Sequence, residues 1–223
     1  IGLPESTPPA SILGTNKISS VWGAATSSIL YAIKVRPDWR SVLPLVVGSS
    51  TGSALGASVT RFLPKEVFTP IVLVALIVVA IYTWRRPQLG LLTERKHVGR
   101  KHYLLTLGIG LAVGLYAGDL GPGTGTVFVL LLVGVVGWGF LEASAQAKIA
   151  NLVTNLSAIA IFAAHGAILW QLGLLMGAAN LVGGFLGART AISKGNAFVR
   201  KVFLVVVALL IVLGIVLWLW PDG

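Results

Sequence analysis

The sequence predicts an all-α integral membrane protein with two homologous, inverted repeats of transmembrane helices and a glycine-rich broken segment that re-enters the bilayer. Three observations carry this: long uncharged apolar stretches, a match between the halves at a fixed offset, and the sidedness of the basic residues. Of 223 residues, 56% are hydrophobic and 11% charged, and the mean hydropathy is +0.89. A soluble domain carries about 25% charged residues, so too few are present to cover a solvated surface. Stretches 67–84, 104–117 and 202–220 hold no charge. A hydrocarbon core of ~30 Å takes about 20 apolar residues to cross as a helix.

Helices are expected over 11–33, 39–59, 66–84, 103–117, 124–138, 140–164, 168–188 and 198–220. Pro37, Pro64 and Pro87 fall at or near breaks, where a missing donor and a fixed φ do least harm. The polar stretch 85–102 holds six Lys/Arg and divides the chain into a first repeat (1–84), a basic cytoplasmic linker and a second repeat (103–223).

A shift of 131 residues places Lys17 on Lys148, Ile18 on Ile149, Ala32 on Ala163 and Trp39 on Trp170. It also places Gly52 on Gly183 and Leu55-Gly56-Ala57 on Leu186-Gly187-Ala188. Internal duplication of this kind is common in secondary transporters. Residues 103–138 have no counterpart in the first half. That half is therefore expected to lack its glycine-rich first segment, about 30 residues on the duplication logic.

Segment 103–138 decides the sidedness. If it dips in and returns to one face, thirteen Lys/Arg of the loops lie inside and two, Arg61 and Lys65, outside. A single crossing gives nine against six. Cytoplasmic loops carry the positive excess, so the returning path is preferred, and it makes the repeats inverted. Each arm has about 15 helical residues, ~22 Å, too short to span.

The break between the arms is Gly118-Asp119-Leu120-Gly121-Pro122-Gly123-Thr124-Gly125. Irregular backbone at membrane depth is tolerated where protein or a water-filled cavity satisfies it, so the break should line a site. Gly123, Thr124 and Gly125 would offer backbone N–H groups at a helix start, where partial positive charge suits an anion. Close helix packing is the bland alternative for such small residues. Lys148 lies inside an apolar helix, where a charge costs about 2.5–3.5 kcal/mol. Asn151, Thr154 and Asn155 accompany it in one polar stripe. In the first half, Thr15 and Asn16 accompany Lys17, which could also snorkel to an interface. Together these residues form an anion-binding set, and nothing near them resembles a metal cage or calls for a cofactor.

Asp119 and Glu142 are the acidic residues expected at membrane depth, as proton carriers for coupling or as ion-pair partners of Lys148. His165 reads as interfacial. Trp39, Trp84, Trp170, Trp218 and Trp220 read as interfacial anchors. Gly52, Gly56, Gly183 and Gly187 read as close helix–helix packing.

The net charge of +10 does not indicate nucleic acid, because the basic residues sit in short loops between apolar helices. The chain has no cysteine, which excludes a disulfide scaffold, an iron–sulfur site and a thiol nucleophile. No Gly-x-Ser-Gly followed by a helix-borne His supports an intramembrane hydrolase, so no enzyme is expected.

The sequence resembles the TauE/SafE family of sulfite exporters, also called the sulfonate uptake permease family. The likeness rests on Pro9-Ala10-Ser11-Ile12-Leu13-Gly14-Thr15-Asn16-Lys17, on Gly121-Pro122-Gly123-Thr124-Gly125, and on Ala143-Ser144-Ala145-Gln146-Ala147-Lys148 with Asn151, Thr154 and Asn155. Gly183-Gly184-Phe185-Leu186-Gly187-Ala188-Arg189 adds to it. The resemblance implies a multi-pass transporter of the cell inner membrane for sulfite, organosulfonates or related small anions, with duplicated halves. It also implies a glycine-rich motif upstream of Pro9. In the family an Asp often precedes the Gly ahead of Gly-Pro-Gly, whereas the order here is Gly118-Asp119, which weakens a coupling role for Asp119. The partners this reading calls for are the small anion and the bilayer, with a homodimer allowed. A passive anion channel, which also uses glycine-rich half-helices, and a non-transporting structural subunit are the alternatives.

Overall fold

The computed structural model describes residues 9–59, 88–94, 99–119 and 123–219, with positions 77, 81 and 85. Every regular element among the described residues is helical, without a strand. Most of the expected helix 66–84 lies outside them, as do Leu120-Gly121-Pro122 and the side chains of Trp84, Asp119, Trp218 and Trp220.

The chain forms α1 (Pro9–Lys34), α2 (Trp39–Val59), α3 (Arg100–Asp119), α4 (Thr124–Leu131), α5 (Phe140–Ala164) and α6 (Trp170–Leu219). A π-helical turn, Leu132–Val136, extends α4 and ends at Gly137 with φ 92°. Helix α6 is two helices in sequence, because Gly195 breaks it with φ 72° and ψ −169°. By length and composition, α5 and α6 are apolar enough to cross a membrane. Helices α1, α2 and α3 are diluted by Ser, Thr and Gly, and those residues form the seams.

Lipid tails are as apolar as leucine, so helices in a bilayer are held by close backbone approach and by buried polar bonds. The α2–α3 seam shows both. Gly48 and Gly52 lie against the backbone of Leu107 and Leu111, while Gly110, Gly114 and Gly118 lie against Leu45, Ser49 and Ser53. A methyl group on any of the five would come within 2.4 Å of a carbonyl oxygen. Across the same seam the Ser41 hydroxyl meets His102 Nε2 at 2.6 Å, both buried. Helix α5 joins α2 through Ser53 Oγ donating to the Thr154 carbonyl (2.7 Å) and a Ser50–Ser157 hydroxyl pair (2.9 Å). Helix α1 joins α6 through Asn180 Nδ2 donating to Ser19 Oγ (2.6 Å) and through Gly184 on the Gly23 carbonyl.

The packing expectation holds for Gly52 and is corrected for Gly183 and Gly187, which have no heavy atom within 4 Å of an added Cβ among the described residues. The face of α6 against α1 instead runs through Gly173, Gly177, Asn180 and Gly184. Helical phase puts Gly183 one residue off that stripe. Helix α3 also exceeds the expected arm, at 20 residues rather than about 15. Gly99, at φ 64°, turns the linker into it, and the Gly99 carbonyl accepts from His102 N.

The path from α3 to α4 doubles back. The ring of His102, near the start of α3, lies 6.3 Å from that of Trp138, beyond the end of α4. The linker closes over this end: Glu94 N donates to the Gly137 carbonyl, Phe140 N to that of Gly90, and Gly139 N to Thr93 Oγ1. Asn196, beside the Gly195 break, donates to the Leu91 carbonyl and accepts from Leu141 N. In the last turn of α1, Tyr31 clusters with Ala145 and Ala188, and Val35, Leu141, Ala191 and Ile192 pack against that cluster. The end of α1, the linker and the α6 break therefore meet at one end. The start of α1 meets the turn after α5 at the other, where Gly14 lies on the Ala167 carbonyl. Trp39 opens α2 at the first end and Trp170 opens α6 at the second.

Candidate functional site

Between these ends, α4 starts in mid-bundle. Its N-cap is Gly123, held left-handed at φ 74° and ψ −2°, a conformation that costs a side chain dearly and a glycine little. The Gly123 carbonyl accepts from Val127 N at 3.1 Å and so closes the first turn. The first N–H groups of any helix have no carbonyl within it, so this turn presents donors and partial positive charge. An apolar cluster anchors α4, with Phe128, Leu132, Val136 and Phe140 fully buried and the Phe140 and Phe203 rings 5.3 Å apart.

A cavity of about 340 Å³ opens at this helix start. Gly123, Thr124, Gly125 and Thr126 form one side. Ser144, Lys148 and Asn151 of α5 face them, spaced so that one helical face carries all three. An added Cβ on Gly125 would meet Asn151 Nδ2 at 3.9 Å, so the two helices bring their polar groups into contact range. Tyr31, reaching in from α1, closes the cavity, and its hydroxyl has no hydrogen-bond partner among the described residues although the residue is only 4% exposed. Lys148 likewise has neither an ion-pair nor a hydrogen-bond partner among them.

Of the anticipated residues, Gly123, Thr124, Gly125, Lys148 and Asn151 thus line one cavity, and the remaining five do not. Thr154 is fully buried and turns its hydroxyl to the Asn151 carbonyl (2.9 Å), supporting the α5 backbone beneath Asn151. Asn155 is buried, and its Nδ2 has no partner among the described residues. The expected approach of Thr15-Asn16-Lys17 to the same cavity is not what the structure has. Thr15 Oγ1 donates to the Ser11 carbonyl and accepts from Leu169 N, fastening α1 to the turn before α6. Asn16 is exposed. Lys17, 3% exposed, donates from Nζ to the carbonyl of Ala117, in the last turn of α3 just before the break. Carbonyls there carry the negative end of the helix dipole and have no intrahelical donor. The two matched lysines therefore stand on either side of the break in different electrostatic settings.

Glu142 stands apart from the cavity. It occupies the first turn of α5 with Oε2 folded onto Gly139, near Thr93 and Asn196, six residues before Lys148. A carboxylate is favoured at that positive helix end, and it is not a counter-charge for Lys148. The Asp119 side chain lies outside the described residues. His165 is exposed, with Nδ1 2.8 Å from the Ile161 carbonyl.

Sequence reasoning missed Tyr31, Thr126, Ser144 and the wall that α6 supplies after its break. Two signals existed. Ser144 precedes Lys148 by one turn, and Tyr31 falls on Phe162 at the 131-residue offset, so the pair differs by one hydroxyl.

The family model described as sulfite exporter TauE/SafE matches residues 2–214. A probable membrane transporter protein ORF9 of a Sinorhizobium species is 34% identical over 199 residues, covering 89% of this chain and 76% of that one. A probable membrane transporter protein of Haemophilus influenzae is 30% identical over 198 residues, 89% of this chain and 77% of the other. The probable membrane transporter protein YfcA of Escherichia coli K12 is 28% identical over 204 residues, 91% and 74%. No solved structure matches the chain. With the family pattern running through every described helix, the chain belongs to the TauE/SafE sulfite exporter family.

Proposed function

We propose that this protein is a secondary transporter that moves a small anion, sulfite or a related sulfur-containing anion, across the cell inner membrane. The observation that carries this reading is the pairing, in one cavity, of Lys148, without a counter-charge among the described residues, with the start of α4. Both present positive charge, so bringing them together costs energy until an anion enters between them. An anion leaving water must find donors already aimed at it, and a helix start with Asn and Tyr side chains supplies them. No covalent step is required of these residues.

Inverted repeats suit such a transporter, since substrate sites lie at repeat interfaces formed by discontinuous helices. The 131-residue match is supported by exchanged contacts. Ser53 bonds to the carbonyl of Thr154, and Gly184 lies on the carbonyl of Gly23; the offset relates Ser53 to Gly184 and Gly23 to Thr154.

The test is sulfite flux into proteoliposomes. Lys148→Met keeps length and apolarity while removing the charge, and should lower affinity or rate at least tenfold, the effect of ~1.4 kcal/mol. Asn151→Ala should weaken uptake less. Parent-like transport by both variants would move the site elsewhere. Trans-stimulation by sulfite loaded inside is expected of a carrier, and its absence would favour the channel alternative.

A further inference from the structure

We propose that Gly195 and Asn196 are the hinge and the latch of a gate at the basic end of the bundle, through which the cavity opens to that face. This rests on the transporter reading above and concerns how the anion reaches its site. The first observation is the backbone. Gly195 has φ 72° and ψ −169°, a combination open essentially to glycine alone. An added Cβ there meets nothing within 4 Å among the described residues, so conformation rather than packing calls for the glycine. It divides α6 into halves with different attachments. The first half is fastened to α1 through the Asn180–Ser19 bond and through Gly184 on the Gly23 carbonyl. The second half lends Val199, Val202, Phe203 and Val206 to the cavity lining, starting about one turn beyond Asn196. Phe203 and Val207 hold it in the apolar cluster around α4, a contact that carries no directional bonds.

The second observation is how this half is tied where it begins. Asn196 Oδ1 accepts from Leu141 N at 2.6 Å, and Asn196 Nδ2 donates to the Leu91 carbonyl at 2.8 Å. Helix α5 starts after Gly139 without a side-chain cap of its own. The N–H groups there are satisfied from other elements: Gly139 N by Thr93 Oγ1, Phe140 N by the Gly90 carbonyl and Leu141 N by Asn196. One asparagine therefore joins the linker, the α5 start and the second half of α6. These bonds lie at a rim, since Thr93 and Glu94 are exposed and Leu91 and Asn196 are half-buried. Water can take over the freed groups when the bridge opens, whereas the buried Ser53–Thr154 bond has no such substitute. With the bridge made, the second half of α6 stands as part of the cavity wall. With it broken, that half turns about Gly195, the one residue able to absorb the backbone change, and Val199 becomes accessible from the basic end.

The experiment uses the whole cysteine-free chain in nanodiscs, with Val199→Cys as the reporter in the wall and Ser193→Cys as the reference before the break. A water-soluble methanethiosulfonate reagent is the probe. Asn196→Ala should raise the reaction rate of Val199→Cys roughly three- to tenfold, the worth of the bonds it removes, and leave that of Ser193→Cys unchanged. Thr93→Val frees the linker from Gly139 without touching α6, and should move the same rate in the same direction. In proteoliposomes, Leu91→Cys with Asn196→Cys is joined by a short, reducible bifunctional thiol reagent. Sulfite flux should fall to background on linking and return on reduction.

If Asn196→Ala and Thr93→Val lower the melting temperature but leave the Val199→Cys rate unchanged, Asn196 only caps α5 and the gate is overturned. If the linked protein carries sulfite like the unlinked one, the bridge does not open during transport, and the proposal is equally overturned. If even the parent protein moves no anion, the transporter reading fails, and the reaction rates at Val199→Cys still decide the gate.

Discussion

At the scale of residues, Lys17 and Lys148 occupy matched positions and make different arrangements. Lys17 donates to the last turn of α3, whereas Lys148 meets the first turn of α4 with no counter-charge among the described residues. The difference predicts a double dissociation. Lys17→Met leaves the Ala117 carbonyl without that donor, at a cost of about 1–3 kcal/mol, so thermal melting in detergent should drop. Lys148→Met removes a buried charge without such a partner, so the melting temperature should hold or rise while anion binding falls. Equal losses of stability in the two variants would contradict the different roles. Lys148 and Asn151 were legible in the sequence because a charge in an apolar helix is conspicuous. Tyr31 was not, since an aromatic on an apolar helix ordinarily reads as packing, and its hydroxyl acquires meaning only from what α4 places opposite it.

At the scale of elements, the glycines separate into those under another backbone and those in open space. Spacing in the sequence marks a helical face but not which face a neighbour occupies. That is why Gly52 has the expected backbone neighbour, whereas Gly183 and Gly187 have none among the described residues. Within α3 the contrast is sharper. Gly114 sits on Ser49, where an added Cβ would lie 2.4 Å from the carbonyl oxygen, while Gly108 has nothing within 4 Å among the described residues. Gly114→Ala should therefore force α2 and α3 apart, losing a few kcal/mol as overpacking does. Gly108→Ala should be neutral or stabilising by about 0.5–1 kcal/mol, since alanine is the better helix former. Chemical denaturation of the purified variants in mixed micelles checks this, and a harmless Gly114→Ala would show that the seam is looser than drawn. The break itself was legible from its glycines, although the α3 arm is longer than its apolar stretch suggests because Arg100 to His102 already belong to the helix.

At the scale of the molecule, sidedness follows from joining charge to path. The described parts of the basic segments around 34–40, 85–101 and 189–201 come together at the end where His102 meets Trp138 and Asn196 meets Leu91. Of the seventeen Lys/Arg in the chain, thirteen belong to these segments, and the positive-inside rule predicts that their end is cytoplasmic. The turn after α5, with exposed His165 and Gly166, is then expected to face the opposite compartment. The chain has no cysteine, so single replacements report cleanly. Ser193 is exposed beside Lys194 at the α6 break, and Ser193→Cys should react with a membrane-impermeant maleimide only when the cytoplasmic face is open. His165→Cys should react from outside in intact cells. Trp39 and Trp170, each about half exposed at the starts of α2 and α6, should be quenched by lipid probes restricted to opposite leaflets. Were Ser193→Cys and His165→Cys labelled from the same side, α6 before Gly195 could not cross the bilayer, and the inverted arrangement would have to be abandoned.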